Sequence, residues 1–219
     1  MKMLAGSVLD ADFWNLERSV SEAVSAGVQR LHLDVADGSF VQGISFGDRI
    51  VRSIAEKSKV PCDVHLMVTH PESQVKLLSG IEGISTIYFH IESADNPKSV
   101  INAIKSAGMV AGIALSPGSS LQNIKGLLSS VDAVLVMLVE PGRGGQRMIP
   151  QMLERVKALD RIRKGKNHFE IAVDGGIKVE NIRAVAGAGA DVLVVGSGIF
   201  GQNDVGKAVK SLVSELNFS

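Results

Sequence analysis

The sequence predicts an α/β fold with one closed (β/α)8 barrel, a TIM barrel, and three observations support this prediction. Eight short apolar, β-branched runs alternate strictly with amphipathic stretches along the 219 residues. Each strand–helix pair takes roughly 27 residues, enough for a strand, a crossover helix and two short loops. Strict alternation favours a parallel sheet covered by helices. Eight units are the number that closes such a barrel, although an open doubly wound sheet stays as the alternative.

The β-branched and aliphatic runs predict strands at residues 2–9, 30–35, 63–68, 85–90, 110–115, 133–139, 169–173 and 191–195. Helical periodicity after each strand predicts helices at residues 13–26, 48–58, 71–79, 97–107, 121–129, 149–163, 179–186 and 204–216. Several helices are predicted to end at a glycine with left-handed backbone, namely Gly27, Gly80, Gly108, Gly165 and Gly187. No linker or change of composition interrupts the pattern, so one domain is expected over residues 1–219.

Composition and charge narrow the classes of partner and compartment. The chain is 45% hydrophobic, and 23 basic and 23 acidic side chains give a formal net charge of zero. Nucleic-acid and membrane-surface proteins usually carry a basic excess, so neither partner is expected. A lone cysteine, Cys62, cannot form an internal disulfide and suits a reducing compartment. Without a signal-peptide pattern or a membrane-length apolar run, a cytoplasmic protein is predicted.

Ligand-type side chains occur near the carboxyl ends of three predicted strands, where barrels of this kind carry their chemistry. His32 and Asp34 share one face of the second strand because side chains alternate with a period of two. Asp63 and His65 repeat the arrangement on the third strand, and Asp174 ends the seventh. Any one of these alone is usually a satisfied core group. Together, two imidazoles and two carboxylates predict one divalent metal ion, with Zn²⁺ favoured and Fe²⁺, Mn²⁺ or Co²⁺ possible. Asp63 either orients an imidazole or forms a salt bridge elsewhere.

Glycine-rich loops follow the last three predicted strands. The sequence reads EPGRGGQ at 140–146, GG at 175–176 and GSG at 196–198. Loops without side chains let backbone N–H groups approach an anion, and the loops after strands 7 and 8 are the usual phosphate position in such barrels. One glycine pair would be explained by a tight turn, but three neighbouring loops predict a phosphorylated ligand.

Taken together, these segments resemble the signature segments of ribulose-phosphate 3-epimerases. The resemblance runs over nearly the whole chain, from GSVL at 6–9 to GSGIF at 196–200, and its most specific parts are HLDVADGSFV at 32–41, DVHLMV at 63–68, EPGRGGQ at 140–146 and VDGG at 173–176. It implies a metal-dependent isomerase of carbohydrate metabolism, in the pentose phosphate pathway. The implied reaction is epimerisation at C3 of a ketose phosphate through an enediolate, most directly between ribulose 5-phosphate and xylulose 5-phosphate.

The resemblance also implies roles for individual residues. The metal would be held by His32, Asp34, His65 and Asp174, and the two aspartates would act as base and acid from opposite faces of the substrate. The implied substrate-binding residues are Ser7, His65, Met67, Met137, Gly142, Gly144, Gly145, Gly175, Gly176, Gly196 and Ser197. A homo-oligomer is expected as well.

Five positions depart from the family pattern. Ala36 stands where methionine is usual, Gln42 and Gly43 replace Pro-Asn, and Arg143 and Met148 replace aromatic residues. These positions are expected to flank the substrate and not the metal, so they leave open which ketose phosphate is used. Arg143 either adds a charge-assisted contact to phosphate or is a solvated loop residue.

Other functions remain as alternatives. The altered loops make a related ketose phosphate, such as allulose 6-phosphate, the second candidate substrate. A metal-dependent hydrolase would use the same ligands, but the paired histidines expected on its first strand are replaced by Gly-Ser-Val at 6–8. A decarboxylase-like barrel would require an Asp-x-Lys element that is absent at 34–37. A non-catalytic sugar-phosphate binding barrel would not require both aspartates.

Overall fold

The computed structural model describes residues 2–165 and 168–217 and contains a closed barrel of parallel strands. The strands are β1 Met3–Ser7, β2 Arg30–Ala36, β3 Cys62–Met67, β4 Ile84–His90, β5 Val110–Leu115, β6 Ala133–Met137, β7 Glu170–Asp174 and β8 Val192–Val195. Each strand pairs with the next, and β8 pairs with β1 over Met3 to Gly6. The predicted barrel is therefore confirmed, and the open sheet is excluded.

Helices cover the outside of this barrel. The described residues form α1 Leu16–Ala26, α2 Asp48–Ala55, α3 Pro71–Leu78, α4 Pro97–Ser106, α5 Met152–Gly165, α6 Ile182–Gly187 and α7 Val205–Asn217. Gly27, Gly80 and Gly108 have the predicted positive φ. Gly165 and Gly187 are instead the last residues of α5 and α6. The glycine with positive φ after α6 is Gly189.

The helix predicted at 121–129 is wrong. Only a 3-10 turn, Leu121–Asn123, forms there, followed by hydrogen-bonded turns. The backbone bonds join residues three apart, as in Leu127 N to Ile124 O at 2.8 Å. Gly126 disfavours an α-helix by about 1 kcal/mol. Ile124 and Leu128 are nevertheless buried, so the apolar periodicity reflects burial and not helix formation.

The strands have two differently packed faces. Leu31, Leu33 and Val35 of β2 belong to the main core between the sheet and the helices, as predicted. The alternate residues point into the barrel, where a smaller apolar cluster includes Tyr88 and Leu135. His32, Asp34, Asp63, His65 and His90 are buried without belonging to either core. Polar groups are thus placed inside the barrel, where each must find a partner.

An ion-pair cluster closes the amino-terminal end of the barrel. Arg30, the first residue of β2, donates to both carboxylate oxygens of Glu170 on β7 at 2.8 and 2.9 Å. The same guanidinium pairs with Asp63 of β3 at 3.3 Å. Of the two roles considered for Asp63, the salt bridge is therefore the one found. The polar groups left at the opposite end are those of the candidate site.

Cys62 lies fully buried on β3, and burial raises the pKa of its thiol to about 12. A buried thiol of this kind is unreactive. Within residues 2–165 and 168–217, none of the helices has the length and hydropathy needed to cross a bilayer.

The packing of Gly112 inside the barrel generates a stability prediction. Gly112 pairs with Tyr88 across β4 and β5, and a Cβ at residue 112 would lie 2.6 Å from Cε1 of the fully buried Tyr88 ring. Gly112→Ala should lower the free energy of unfolding by about 1–3 kcal/mol because the ring has little room to move. Urea unfolding of the two proteins measures this difference.

Gly118→Ala is the matched control for this substitution. Gly118 is exposed, and a Cβ there would meet nothing within 4 Å. Its unfolding free energy should stay within about 0.5 kcal/mol of the parent. Equal stability of the two variants would contradict the packing described for Tyr88.

Candidate active site

Four ligand-type side chains converge at the carboxyl ends of three strands. β2 carries His32 and Asp34, β3 carries His65, and β7 ends at Asp174. One ligand atom from each lies within 4.8 Å of the others. Both imidazoles are fully buried and Asp34 is 3% exposed, whereas Asp174 is partly exposed. The structure therefore brings together the four residues that the sequence predicted.

Asp34 is the centre of this cluster. Ser7 Oγ donates to Asp34 Oδ2 at 2.7 Å, and His65 Nδ1 lies 2.8 Å from Oδ1. His32 Nε2 is 3.5 Å from the same Oδ1, at ion-pair distance. Within the part of the chain that the structure describes, neither ring nitrogen of His32 has a hydrogen-bond partner. A buried imidazole without a partner is costly, and a cation held between these groups would satisfy it. The four side chains thus fit a divalent metal ion.

The two aspartates have opposite tendencies to hold a proton. Burial alone would raise the pKa of Asp34, but the neighbouring imidazole of His32 outweighs burial and holds that pKa well below its usual range. For Asp174, burial and then repulsion from Asp34 raise the pKa to about 7. Asp34 therefore favours the ionised form, and Asp174 favours the protonated form more than an ordinary aspartate does.

A hydrogen-bonded chain that the sequence interpretation missed leads away from His65. His65 Nε2 lies 2.9 Å from His90 Nε2, and His90 Nδ1 lies 3.0 Å from a carboxylate oxygen of Glu92. Burial opposes the charge on Glu92, but bonds from His90 and Ser119 lower its pKa to about 2. Since ionised Glu92 only accepts hydrogen bonds, the network assigns the proton of His90 to Nδ1.

The position of the proton on His90 determines the tautomer of His65. His90 Nε2 is then an acceptor, so the proton of neutral His65 is on Nε2 and its Nδ1 has a free lone pair facing Asp34. Burial lowers the pKa of His65 to about 4, which favours that neutral form. A nitrogen lone pair and a carboxylate oxygen 2.8 Å apart need either a proton or a metal ion between them, and the four-residue cluster fits a metal ion at this place. The missed signal was alternation, because Tyr88 and His90 lie on one face of β4, and Glu92 follows in the 3-10 turn Ile91–Ser93.

A cavity opens beside the cluster, at the carboxyl ends of the strands. Ten of the predicted substrate-binding residues line it, namely Ser7, Met67, Met137, Gly142, Gly144, Gly145, Gly175, Gly176, Gly196 and Ser197. His65, the remaining one, is fully buried and contacts Asp34. Asp10 also lines this cavity and was not singled out from the sequence.

The glycines after β7 are required by backbone geometry as well as by space. Gly175 and Gly176 have φ of 118° and 65°, in the left-handed region. A Cβ on Gly176 would lie 2.8 Å from Met148 Cα. The tight-turn explanation therefore holds for this pair, and it is compatible with a ligand beside the same backbone.

Among the five positions that depart from the family pattern, Arg143 lines the cavity and is exposed. Ala36 instead packs with Val41 and Met67. Met148 packs against the main core. The cavity thus receives one new charge from these positions.

The fold and the site together define a (β/α)8-barrel enzyme whose polar groups meet at the carboxyl ends of the strands. The sequence model of the ribulose-phosphate 3 epimerase family matches residues 3–200. The chain therefore belongs to the ribulose-phosphate 3-epimerase family, which makes it an isomerase-type enzyme and sets aside the hydrolase, decarboxylase and non-catalytic alternatives.

Relatives of known function support this assignment along the full length. The cytoplasmic isoform of ribulose-phosphate 3-epimerase from Oryza sativa subsp. japonica is 40% identical over 213 residues, covering 95% of this chain and 92% of that protein. The ribulose-phosphate 3-epimerase of Methanocaldococcus jannaschii is 42% identical, covering 97% and 90%. Among solved structures, 3-hexulose-6-phosphate synthase from Salmonella typhimurium superposes with a TM-score of 0.74 at 18% identity, covering 100% and 99%. At that identity, it shares the fold alone.

The raised pKa of Asp174 generates a pH prediction for protein freed of metal by a chelator. Because the folded pKa of about 7 exceeds the ordinary 3.8, the folded state binds the extra proton between these values. The contribution of Asp174 to stability should therefore fall as pH rises from 4 to 8, and Asp174→Asn should remove that contribution. A pKa difference of one between the folded and unfolded states corresponds to about 1.4 kcal/mol, so the stability of the variant relative to the parent should rise by on the order of 1–4 kcal/mol across this range.

Urea unfolding at several pH values measures this effect. Asp95→Asn, at an exposed carboxyl group, is the control and should follow the parent at every pH. A difference between Asp174→Asn and the parent that does not change with pH would show that Asp174 is ionised throughout.

Proposed function

We propose that this chain catalyses metal-dependent epimerisation at C3 of a ketose phosphate, with ribulose 5-phosphate and xylulose 5-phosphate as the pair interconverted. The observation that carries this proposal is the pair of aspartates lining one cavity, Asp34 with a lowered pKa and Asp174 with a pKa raised to about 7. Family membership and the names of the relatives support the same reaction.

Epimerisation needs one group to remove a proton and another to deliver one on the opposite face. The proton on the carbon beside a ketone is weakly acidic, so the base must be ionised and close to it. Asp34 fills that role in one direction, while protonated Asp174 acts as the acid, and the roles exchange in the reverse direction. β2 and β7 are separated by β1 and β8 in the barrel, which favours approach from two sides of the substrate.

His32, Asp34, His65 and Asp174 would hold one divalent ion, with Zn²⁺ favoured and Fe²⁺, Mn²⁺ or Co²⁺ possible. When bound, such an ion would stabilise the negative charge that develops on the substrate oxygens. Ser7 holds Oδ2 of Asp34 by its hydroxyl group. Met67 and Met137, both buried and lining the cavity, would exclude water from the reacting carbons.

The glycine loops would receive the phosphate group of the substrate. Their backbone lines the cavity at positions 144, 145, 175, 176 and 196, next to Ser197. This part of the proposal makes a phosphorylated ketose the substrate class. The rice relative is named as a cytoplasmic isoform, and a cytoplasmic location is proposed for this chain as well.

One observation favours a second candidate substrate. Arg143 places a guanidinium on the cavity, where it could contact a hydroxyl group or phosphate of a longer chain. Epimerisation at C3 of a hexulose phosphate such as allulose 6-phosphate is therefore the alternative.

Isotope exchange tests the reaction directly. Metal-loaded protein is incubated with ribulose 5-phosphate in D₂O, and deuterium at C3 is followed by NMR. Because the proton removed exchanges with solvent, we expect deuterium at C3 together with formation of xylulose 5-phosphate. Allulose 6-phosphate is assayed in parallel, and absence of exchange with both sugars would refute the epimerase proposal.

Substitution of either aspartate tests its role in proton transfer. Asp34→Asn and Asp174→Asn should each lower kcat by about two to four decades, because an amide neither accepts nor delivers the proton. Asp95→Asn removes an exposed carboxyl group and should retain full activity. Unchanged exchange in Asp174→Asn would eliminate it as the acid.

Metal binding has a readout independent of activity. Chelator-treated protein should gain thermal stability with saturable Zn²⁺, by about 2.7 kcal/mol at a hundredfold excess over Kd. His32→Ala should abolish most of that gain because it removes a ligand. His70→Ala, which removes an exposed histidine, should respond like the parent. If none of the four candidate ions stabilises the parent protein, the cluster is not a metal site.

A further inference from the structure

Asp10 places a carboxylate against two of the glycine loops. It ends the 3-10 turn Val8–Asp10 that follows β1. A Cβ on Gly144 would lie 2.7 Å from Asp10 Cγ, and a Cβ on Gly196 would lie 3.2 Å from the same atom. One side chain thus touches the loop after β6 and the loop after β8.

The glycines at these two positions are not explained by turn geometry. Gly144 and Gly196 are absent from the residues with positive φ, so other residues could adopt their backbone conformation. What a side chain would meet there is the Asp10 carboxylate. The space that a side chain at Gly144 or Gly196 would fill is therefore occupied by an anionic group, the carboxylate of Asp10.

The Asp10 carboxylate lies next to Gly144, Gly196 and Ser197. We call these three residues the anion cradle. Partial burial of the carboxyl group, together with repulsion from Asp34, raises the pKa of Asp10, while the backbone amide of Ser197 acts in the opposite direction. Asp10 also contributes to the raised pKa of Asp174. The carboxylate is thus favoured electrostatically by the backbone amide of Ser197 and repelled by Asp34.

We propose that Asp10 is a specificity-determining residue that competes with the phosphate of the substrate for the anion cradle. The carboxylate occupies the cradle in the free protein and turns out of it when a dianionic phosphate binds. This inference rests on the proposed function, which makes the substrate a sugar phosphate. Its consequence is that the chain binds phosphate less tightly than its glycine loops alone would allow, since two anions repel each other in a partly desolvated site.

Titration with inorganic phosphate tests the competition without turnover. Full-length, metal-loaded parent protein and Asp10→Asn are compared by isothermal titration calorimetry. Asparagine has nearly the same shape and keeps an oxygen to accept from the Ser197 amide, but it removes the charge. We expect Asp10→Asn to bind phosphate at least about tenfold more tightly than the parent, and to lower KM for ribulose 5-phosphate with little change in kcat.

Asp12→Asn is the matched control. Asp12 lies two residues away, is exposed, and accepts a hydrogen bond from Trp14 N. The control removes the same charge from outside the cavity and should change phosphate affinity by less than about twofold, since exposed charges are screened. Asp10→Ser is measured as well, and circular dichroism checks that each variant is folded. If one variant misfolds, the other still tests the proposal.

Two outcomes would overturn the proposal. In the first, Asp10→Asn and Asp10→Ser bind phosphate no more tightly than the parent or Asp12→Asn. This result would assign Asp10 a structural role. The second is the absence of phosphate binding in all variants, which would remove the cradle. Failure of the proposed function is separate, because it appears as missing deuterium exchange while phosphate binding can still respond to Asp10.

Discussion

The burial of Asp34 is the constraint on which the candidate site depends. A carboxylate that is 3% exposed inside an apolar barrel is unstable unless charges and donors surround it. Ser7, His32 and His65 are the residues that surround it. His32 has no hydrogen-bond partner among the described residues, and burial together with the charge of Asp34 raises the pKa of Asp174. The same arrangement of charges thus explains why the cluster fits a metal ion and why Asp34 and Asp174 differ in pKa.

The barrel separates this arrangement from a second buried ionic cluster. Arg30, Asp63 and Glu170 tie the amino-terminal ends of β2, β3 and β7, while the candidate site lies at the carboxyl ends. In the amino-terminal cluster a guanidinium compensates both carboxylates. In the candidate site, two carboxyl groups face two imidazoles, so the charge balance depends on protons or on a bound ion. Strongly shifted pKa values in such a cluster are typical of functional sites.

The fold and the four-residue cluster were predictable because both depend on short-range periodicities. Alternation with a period of two placed His32 beside Asp34, and the repeated strand–helix unit placed both near the rim. The helix at 121–129 failed because burial of Ile124 and Leu128 produces the same apolar pattern in a chain of 3-10 turns. His90 and Glu92 were missed because their meaning depends on His65, 25 and 27 residues away in sequence but adjacent in the barrel.

By itself, the sequence determined the barrel, the four residues of the cluster and the position of the glycine loops, because periodicity and residue chemistry act locally. Tertiary structure decided what those groups contact. The assignment of Asp63 to Arg30, the tautomer of His65 and the division of protons between Asp34 and Asp174 all depend on distances across strands. Asp10 is the clearest case: in the sequence it is one acidic residue after a strand, and only closure of the barrel, which brings β1 beside β8, puts its carboxylate against Gly144 and Gly196. Electrostatic energy depends on such distances and on burial, and neither is encoded by spacing along the chain.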